Sequence, residues 1–326
     1  MTAKSRLWAA LGLVLLAGLI WGAVQLGKAM SNGDETGGGA EAYSLLGQAL
    51  SVEAYRATFG PERMAQVDAD LLAADRRART DPSVDNIVWH GRRLAYRGEY
   101  RNAIEVYTEG LKRHPENVKL LRHRGHRYIS RRQLYAAVQD LSAAAQLIDG
   151  QYDEVEPDGI PNERDDPRST VHGNVWYHLG LALYLQGDFI RALPAWKVAM
   201  KLSGNDDTFC ATSYWTYLTL RRLGQDEEAA GLLERIHADM DVIENGTYRD
   251  LLLMFKGELT PESLADDRED GIQNATAGYG VGVYHLLSGE TSRARSIFQR
   301  IIGGPSWPAF GHIAAEAELL HMSLGG

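Results

Sequence analysis

Between residues 154 and 165 the chain reads EVEPDGIPNERD. The oxygen-bearing side chains of Glu154, Glu156, Asp158, Asn162 and Asp165 fall at positions 1, 3, 5, 9 and 12 of that stretch, with Gly159 at position 6. Ca²⁺ takes about six to eight oxygen ligands, and a glycine near the middle of a short loop lets the backbone turn sharply around the ion. These five residues are therefore a candidate calcium set, on a loop that Pro157 stiffens. A second kind of chemistry lies just upstream. Between Arg76 and Arg132, fifteen Lys/Arg stand against six Asp/Glu, a local surplus of nine positive charges in a chain whose net charge is −9. Such a basic region can steer an acidic partner, and its arginines can hold carboxylates through paired N–H donors.

Other reactive side chains point to less. His123 and His126 lie three apart and could share a metal on one helical face, but Arg122, Arg124 and Arg127 surround them and oppose a cation, so groove or surface histidines are expected. The single cysteine, Cys210, excludes an internal disulfide or a cysteine-built zinc cage and reads as a small buried hydrophobe. The sequence carries no glycine-rich phosphate loop, nucleophile elbow or His-Glu metalloprotease helix. Asp266, Asp267, Glu269 and Asp270 crowd a charged connector where solvated carboxylates keep ordinary acidity. A non-enzymatic protein is expected. Nucleic acid is not an expected partner of a chain that is acidic overall and bears an export signal.

The elements that position these residues follow a repeat. GRRLAYRGEYRNAIEVYTEGLKRHPEN begins at Gly91, GHRYISRRQLYAAVQDLSAAAQLIDG at Gly125, and a third copy runs through Trp176, Gly180, Leu183, Gly187, Phe189, Ala192, Trp196 and Ala199. Gly91 and Gly125, like Ala103 and Ala137, are 34 residues apart. Two weaker copies keep Gly224, Ala229 and Leu233, with Tyr217 at the first small position, and Gly282, Gly289, Ala294 and Phe298. Small residues at fixed positions let paired helices approach while larger ones fill the groove between them. Repeats are expected near 84–117, 118–150, 173–206, 210–243 and 275–308, with an insertion at 150–172 and a shortened unit around Gly257, Thr260 and Pro261. Two introductory helices are expected over 41–79, and the closing WPAFGHIAAEAELLHMSLGG reads as a terminal capping helix. No alternating strand pattern stands out, so the class expected is all-α.

This pattern resembles the tetratricopeptide repeat (TPR), which implies a right-handed TPR-like α-solenoid whose first helices line a concave groove. Carried onto this sequence, the groove-facing offsets of the family are Arg92, Lys119, Arg122, His123, His126, Asn174, Tyr177 and Tyr214. The resemblance thereby implies a locally basic site for an extended peptide or protein segment, such as an acidic stretch or a free C-terminal carboxylate. Val88 and Arg92 stand where chaperone-type carboxylate clamps carry their Lys and Asn. The unit order of the C-terminal third is similar to that of NlpI-type envelope TPR proteins, which implies an adaptor role, although no lipobox cysteine is present. The loop at 154–165 is similar in spacing to the calcium loops of thrombospondin type 3 repeats. A competing expectation is an envelope protein that binds a small ligand or carbohydrate through Trp176, Tyr177 and Trp215.

The N-terminus sets the expected location. Lys4 and Arg6 precede an apolar run from Leu7 to Gly27, which as a helix spans roughly 30 Å, the thickness of a bilayer core. Residues 1–31 read as a retained signal anchor or as a signal peptide cleaved after Ala29. The N-terminal charges place the remainder outside the cytoplasm, periplasmic in a bacterium, and secreted or periplasmic if cleavage occurs. The glycine-rich segment 32–40 is a flexible linker to the solenoid at 41–326.

Overall fold

Seven residues after each first small position, the chain turns between two helices with a positive φ: Gly98 (86°), Arg132 (62°), Gly187 (76°), Gly224 (69°) and Gly289 (81°). That left-handed conformation favours glycine, and it reverses the chain so that the second helix packs back on the first. In this computed structural model, which describes residues 40–264 and 271–324, the resulting pairs are α3 (Val84–Tyr96) with α4 (Tyr100–Arg113), α5 (Val118–Ser130) with α6 (Leu134–Leu147), and α7 (Val171–Leu185) with α8 (Phe189–Lys201). They continue with α9 (Asp206–Arg222) and α10 (Asp226–Leu233), then α12 (Gly271–Leu287) and α13 (Thr291–Ile302). Between the last two pairs, α11 (Gly246–Lys256) is followed by a 3-10 turn at Glu262–Leu264 rather than a full second helix. The described residues are thus predominantly helical, in stacked antiparallel pairs.

The repeat register is a steric one. A Cβ on Gly91 would run into the Tyr107 ring, one on Gly125 would lie 2.7 Å from Leu141, one on Gly180 2.6 Å from the Trp196 ring, and one on Gly282 would strike Phe298. The second small position is sealed at every copy: Ala103, Ala137, Ala192, Ala229 and Ala294 are all buried. In the fourth copy Tyr217 takes the glycine's place, and its partner helix α10 is the shortest of the five.

Three expectations need correction. The two introductory helices exist as α1 (Val52–Arg56) and α2 (Pro61–Thr80), but an antiparallel ladder of Ala42–Tyr43 with Ala49–Leu50 precedes them. The C-terminal helix α14 (Phe310–Leu324) packs on the last pair, α12 and α13, as a closing helix should, but it is no exposed cap. Gly311 through Leu319 are all buried, with Gly311 set directly against the backbone of Ala275 on α12. Its carboxylates reach across the molecule: Glu316 accepts the Leu45 N–H at 2.9 Å and pairs with Arg132, while Glu318 pairs with Arg222 at 3.1 Å. Just ahead of it, Trp307 packs in the N-terminal apolar cluster beside Tyr55 and Tyr100. The face of α5 and α7 expected to be open is therefore covered in part by the chain's own end, where Phe310 packs on His126 and His178. Among the described residues no helix is long and apolar enough to cross a membrane, and the apolar run 7–27 lies outside them.

Candidate partner-binding site

Lys119, Arg122, His123 and His126 follow the i, i+3, i+4, i+7 spacing that puts them on one face of α5. Asn117 caps that helix by accepting the Leu120 N–H at 3.2 Å. On α3, Arg92 and Tyr96 lie one turn apart, and both guanidinium Nε and Nη2 donate to the Tyr96 hydroxyl at 3.3 and 3.2 Å. On α7, Asn174, Tyr177 and His178 share a face. Between these helices is a cavity of about 110 Å³ lined by Arg92, Tyr96, Tyr107, Arg122, His123, His126, Arg127 and Glu156.

Glu156 comes from the insertion. Its Oε1 lies 3.2 Å from Nη2 of Arg122, 3.3 Å from Nε2 of His123 and 3.9 Å from Nη1 of Arg92, and its Oε2 accepts from Asn174 Nδ2 at 2.9 Å. Arg122 Nη1 lies 2.8 Å from His123 Nδ1. A guanidinium only donates, so Nδ1 is the acceptor and the imidazole proton sits on Nε2, directed at Glu156. Burial and the Arg122 charge hold the His123 pKa down to about 3, which keeps the ring neutral at ordinary pH. Burial pulls the Glu156 carboxyl up, but Arg122, His123 and Arg92 outweigh it and hold it well below the usual carboxylate range. The cavity thus holds an ionised carboxylate, neutral histidines and three guanidinium groups.

The rest of the insertion runs over these helices. Val155 bridges Thr170, the Glu156 N–H donates to Ser169 O at 2.9 Å, and Thr170 ends the segment as the side-chain cap of α7. Arg92 donates to the Pro157 carbonyl at 2.8 Å and Arg93 to that of Gly159 at 3.1 Å. Gly159 abuts the Tyr96 ring with no room for a side chain. Further along, Asn162 donates to Glu244 at 2.7 Å, and Arg164 and Arg168 pair with Asp241.

These contacts dissolve the calcium set. Glu154 pairs with Lys119 at 3.1 Å, Glu156 lies among guanidiniums, and Asn162 turns to Asp166 and Glu244, so the five oxygens do not converge. Burial pushes the pKa of Asp158 up, which disfavours the charged form a cation would need. Asp165 takes a left-handed backbone conformation and is exposed. Among the described residues no group of three or more His, Cys, Asp or Glu could hold a metal ion. The physical reason is charge: the acids at 154 and 156 meet the cations of the preceding repeat and need no ion.

Of the residues expected in the groove, Arg92, Lys119, Arg122, His123 and Asn174 meet around the insertion. His126 lines the cavity, but its ring packs on His178 at 4.2 Å and on Phe310 at 5.4 Å rather than beside His123 in a metal pair. Tyr177 and Tyr214 lie elsewhere. The Tyr177 hydroxyl accepts from Trp215 Nε1 at 3.0 Å, and Tyr214 is fully buried against Trp215 and Tyr248. Trp215 stacks on Trp196 within 8° of parallel, and Trp176 packs against the same core. These aromatics are filling, not a ligand platform. Cys210 is buried with its thiol pushed up to about 12 by burial, a hydrophobe as expected. Tyr96, Tyr107 and Arg127 join the site unannounced, although Tyr107 is fixed by the repeat and Arg127 lies one residue from the α5 face.

No protein-family model matches the sequence, and no curated protein does. Solved structures similar to the chain include a TPR protein from Parabacteroides merdae, at 15% identity and a TM-score of 0.46 over 82% of this chain and 99% of that one. Another is YrrB, described as a TPR protein with an unusual peptide-binding site, at 16% identity and a TM-score of 0.40 over 77% of this chain and 98% of that one.

Proposed function

We propose that this chain is a non-enzymatic, membrane-anchored scaffold of the cell envelope that binds extended segments of partner proteins on the basic face of α3 and α5. The observation that carries this reading is that the face already holds such a segment in cis: backbone around Val155 in a strand-like bridge, with Glu154 on Lys119 and Glu156 on Arg122. Arginine on a regular helix is well suited to recognising carboxylates through paired donors. The apolar run 7–27 supplies the anchor in this reading, with the helical body outside the cytoplasm.

The test is site-directed photo-crosslinking of the full-length chain in its native envelope, with the reactive residue at Lys119 or Tyr96. A discrete partner cross-linked there, and lost in Arg92→Gln/Arg122→Gln, is expected. No cross-link above background from either position would overturn the scaffold reading. Alkaline extraction tests the anchor: the full chain should stay in the membrane pellet, and its complete release would remove the anchor from the proposal.

A further inference from the structure

Between residues 151 and 170 only one side chain is buried, and it is a carboxylate. Tyr152, Val155 and Ile160 are 93%, 59% and 65% exposed, so the apolar anchor that Ile160 could have provided is not used. Lifting this segment would release no buried apolar side chain of its own, and its hold is therefore largely one of charge and hydrogen bonds. The receptor, in contrast, is built on α3, α5 and α7; the repeat fixes α3 and α5 without help from the insertion, which contributes only the N-terminal cap of α7.

We propose that the 150–172 insertion is a tethered pseudo-ligand: Glu156 fills a carboxylate receptor made by Arg92, Arg122, His123 and Asn174, and an extended acidic segment of a partner protein displaces it. This rests on the scaffold reading and names the chemistry and control of the same surface. The spacing defines the partner. In an extended chain, alternate side chains share a side, and Glu154 and Glu156 use that period to reach Lys119 and Arg122 together. The displacing segment therefore carries acidic residues at alternating positions.

The receptor is only partly neutralised by its own occupant. Arg92, Arg122 and Arg127 face one carboxylate in the cavity, and the buried Nε of Arg122 has no hydrogen-bond partner among the described residues. A partner that brings a further carboxylate into the remaining space gains an interaction that Glu156 alone does not provide. Tethering gives Glu156 an effective concentration on the order of millimolar, so it acts as a threshold rather than a permanent block.

Fluorescence anisotropy with a labelled synthetic peptide bearing Glu at alternate positions, added to the full-length chain, measures this competition. Glu156→Gln is expected to tighten binding by at least about tenfold, and Arg122→Gln in that background to abolish it. Hydrogen exchange on the wild-type chain provides a second readout. Peptide should speed exchange of the Glu156 and Val171 amides, which donate to Ser169 and Glu154. Unchanged affinity in Glu156→Gln, retained affinity in the double variant, or peptide binding with no faster exchange would each overturn the proposal. If Glu156→Gln does not fold, the exchange measurement decides alone. Inorganic phosphate opening the segment as readily as peptide would assign the receptor to a free anion and overturn the partner named here. Failure of the peptide while the Lys119 cross-link persists sinks the latch and leaves the scaffold standing. Loss of the cross-link sinks the scaffold.

Discussion

Arg132 Nη2 lies 2.6 Å from Oε1 of Glu316, with the two side chains 3% and 0% exposed. Arg132 is also the one residue at its turn position, among five, that is not glycine, and it holds a φ of 62°. A non-glycine residue there costs about 1 to 2 kcal/mol. The side chain explains why the cost is borne: besides Glu316, the guanidinium donates to the Trp307 carbonyl at 2.8 Å and lies over its ring. One residue thus fastens the helical stack, the closing helix and the N-terminal cluster. Arg132→Gly should relieve the backbone yet strand a buried carboxylate, with a net loss of about 1 to 4 kcal/mol once that relief is set against the usual 3 to 5 for breaking such a pair. Urea unfolding checks it; wild-type stability in Arg132→Gly would show that the clasp contributes nothing.

Acid should weaken the fold in two stages. Burial lowers the pKa of His123, to about 3, and those of His126 and His178 well below 6.5. The unfolded chain takes up these protons first, so stability is fully present above about pH 6.5 and falls as pH drops below it. Glu316 comes later: burial opposes its ionisation, but Arg132, His312 and the Leu45 N–H bring its pKa down to about 2 from 4.5, and that contribution is lost as pH falls through this interval. Each neutral histidine gives a slope of up to about 1.4 kcal/mol per pH unit. Urea midpoints between pH 7.5 and 5 should fall, and His126→Phe should flatten the slope by about one proton. A flat wild-type profile down to pH 5 contradicts the buried histidines.

The repeat was legible because its rules are local and recur: a small residue, a left-handed turn seven later, alanine at twelve and a large side chain at sixteen. The closing helix was not. GHIAAEAELL reads as a modest amphipathic end, and nothing nearby says that Glu316 and Glu318 are buried. Their partners Arg132 and Arg222 stand 184 and 96 residues away in sequence. The insertion misled in a more instructive way. Alternating acids around a glycine suit a cation equally whether it is calcium or a guanidinium, and only the neighbouring repeat decides between them. The basic residues at Arg92, Lys119 and Arg122 were legible; that the chain's own Glu154 and Glu156 meet them required the path of the loop.

Two glycine substitutions separate close approach from helix propensity. Gly180→Ala would bring a methyl to 2.6 Å from the Trp196 ring, itself stacked on Trp215. Overpacking of about 1 to 3 kcal/mol should exceed the roughly 1 kcal/mol that alanine gains over glycine in a helix. Gly231 on α10 has nothing within 4 Å of an added Cβ, so Gly231→Ala should instead stabilise by up to about 1 kcal/mol. Thermal unfolding of both variants compares them directly. Equal and positive shifts would mean that Trp196 yields to the methyl, and that the glycine is not what sets the spacing of α7 and α8.

Asp207 offers a test of how the far end of the insertion is held. Its carboxylate is fully buried: Oδ1 accepts from the Glu244 and Asn245 N–H groups at 2.8 Å each, and Oδ2 from that of Ile243 at 2.9 Å. The Arg168 Nε is 3.6 Å from Oδ2, and Arg168 also pairs with Asp241, which ties the last residues before α7 to the loop ahead of α11. Asp207→Asn preserves shape but turns an amide NH₂ toward backbone donors, leaving at least one N–H without an acceptor. The expected loss is about 1 to 3 kcal/mol. Because this cradle acts on residues 243–245, exchange of those amides should quicken more than that of the α5 amides near Glu156. Uniform acceleration would indicate global unfolding, and no change at 243–245 would mean that the three N–H bonds are not what orders the loop.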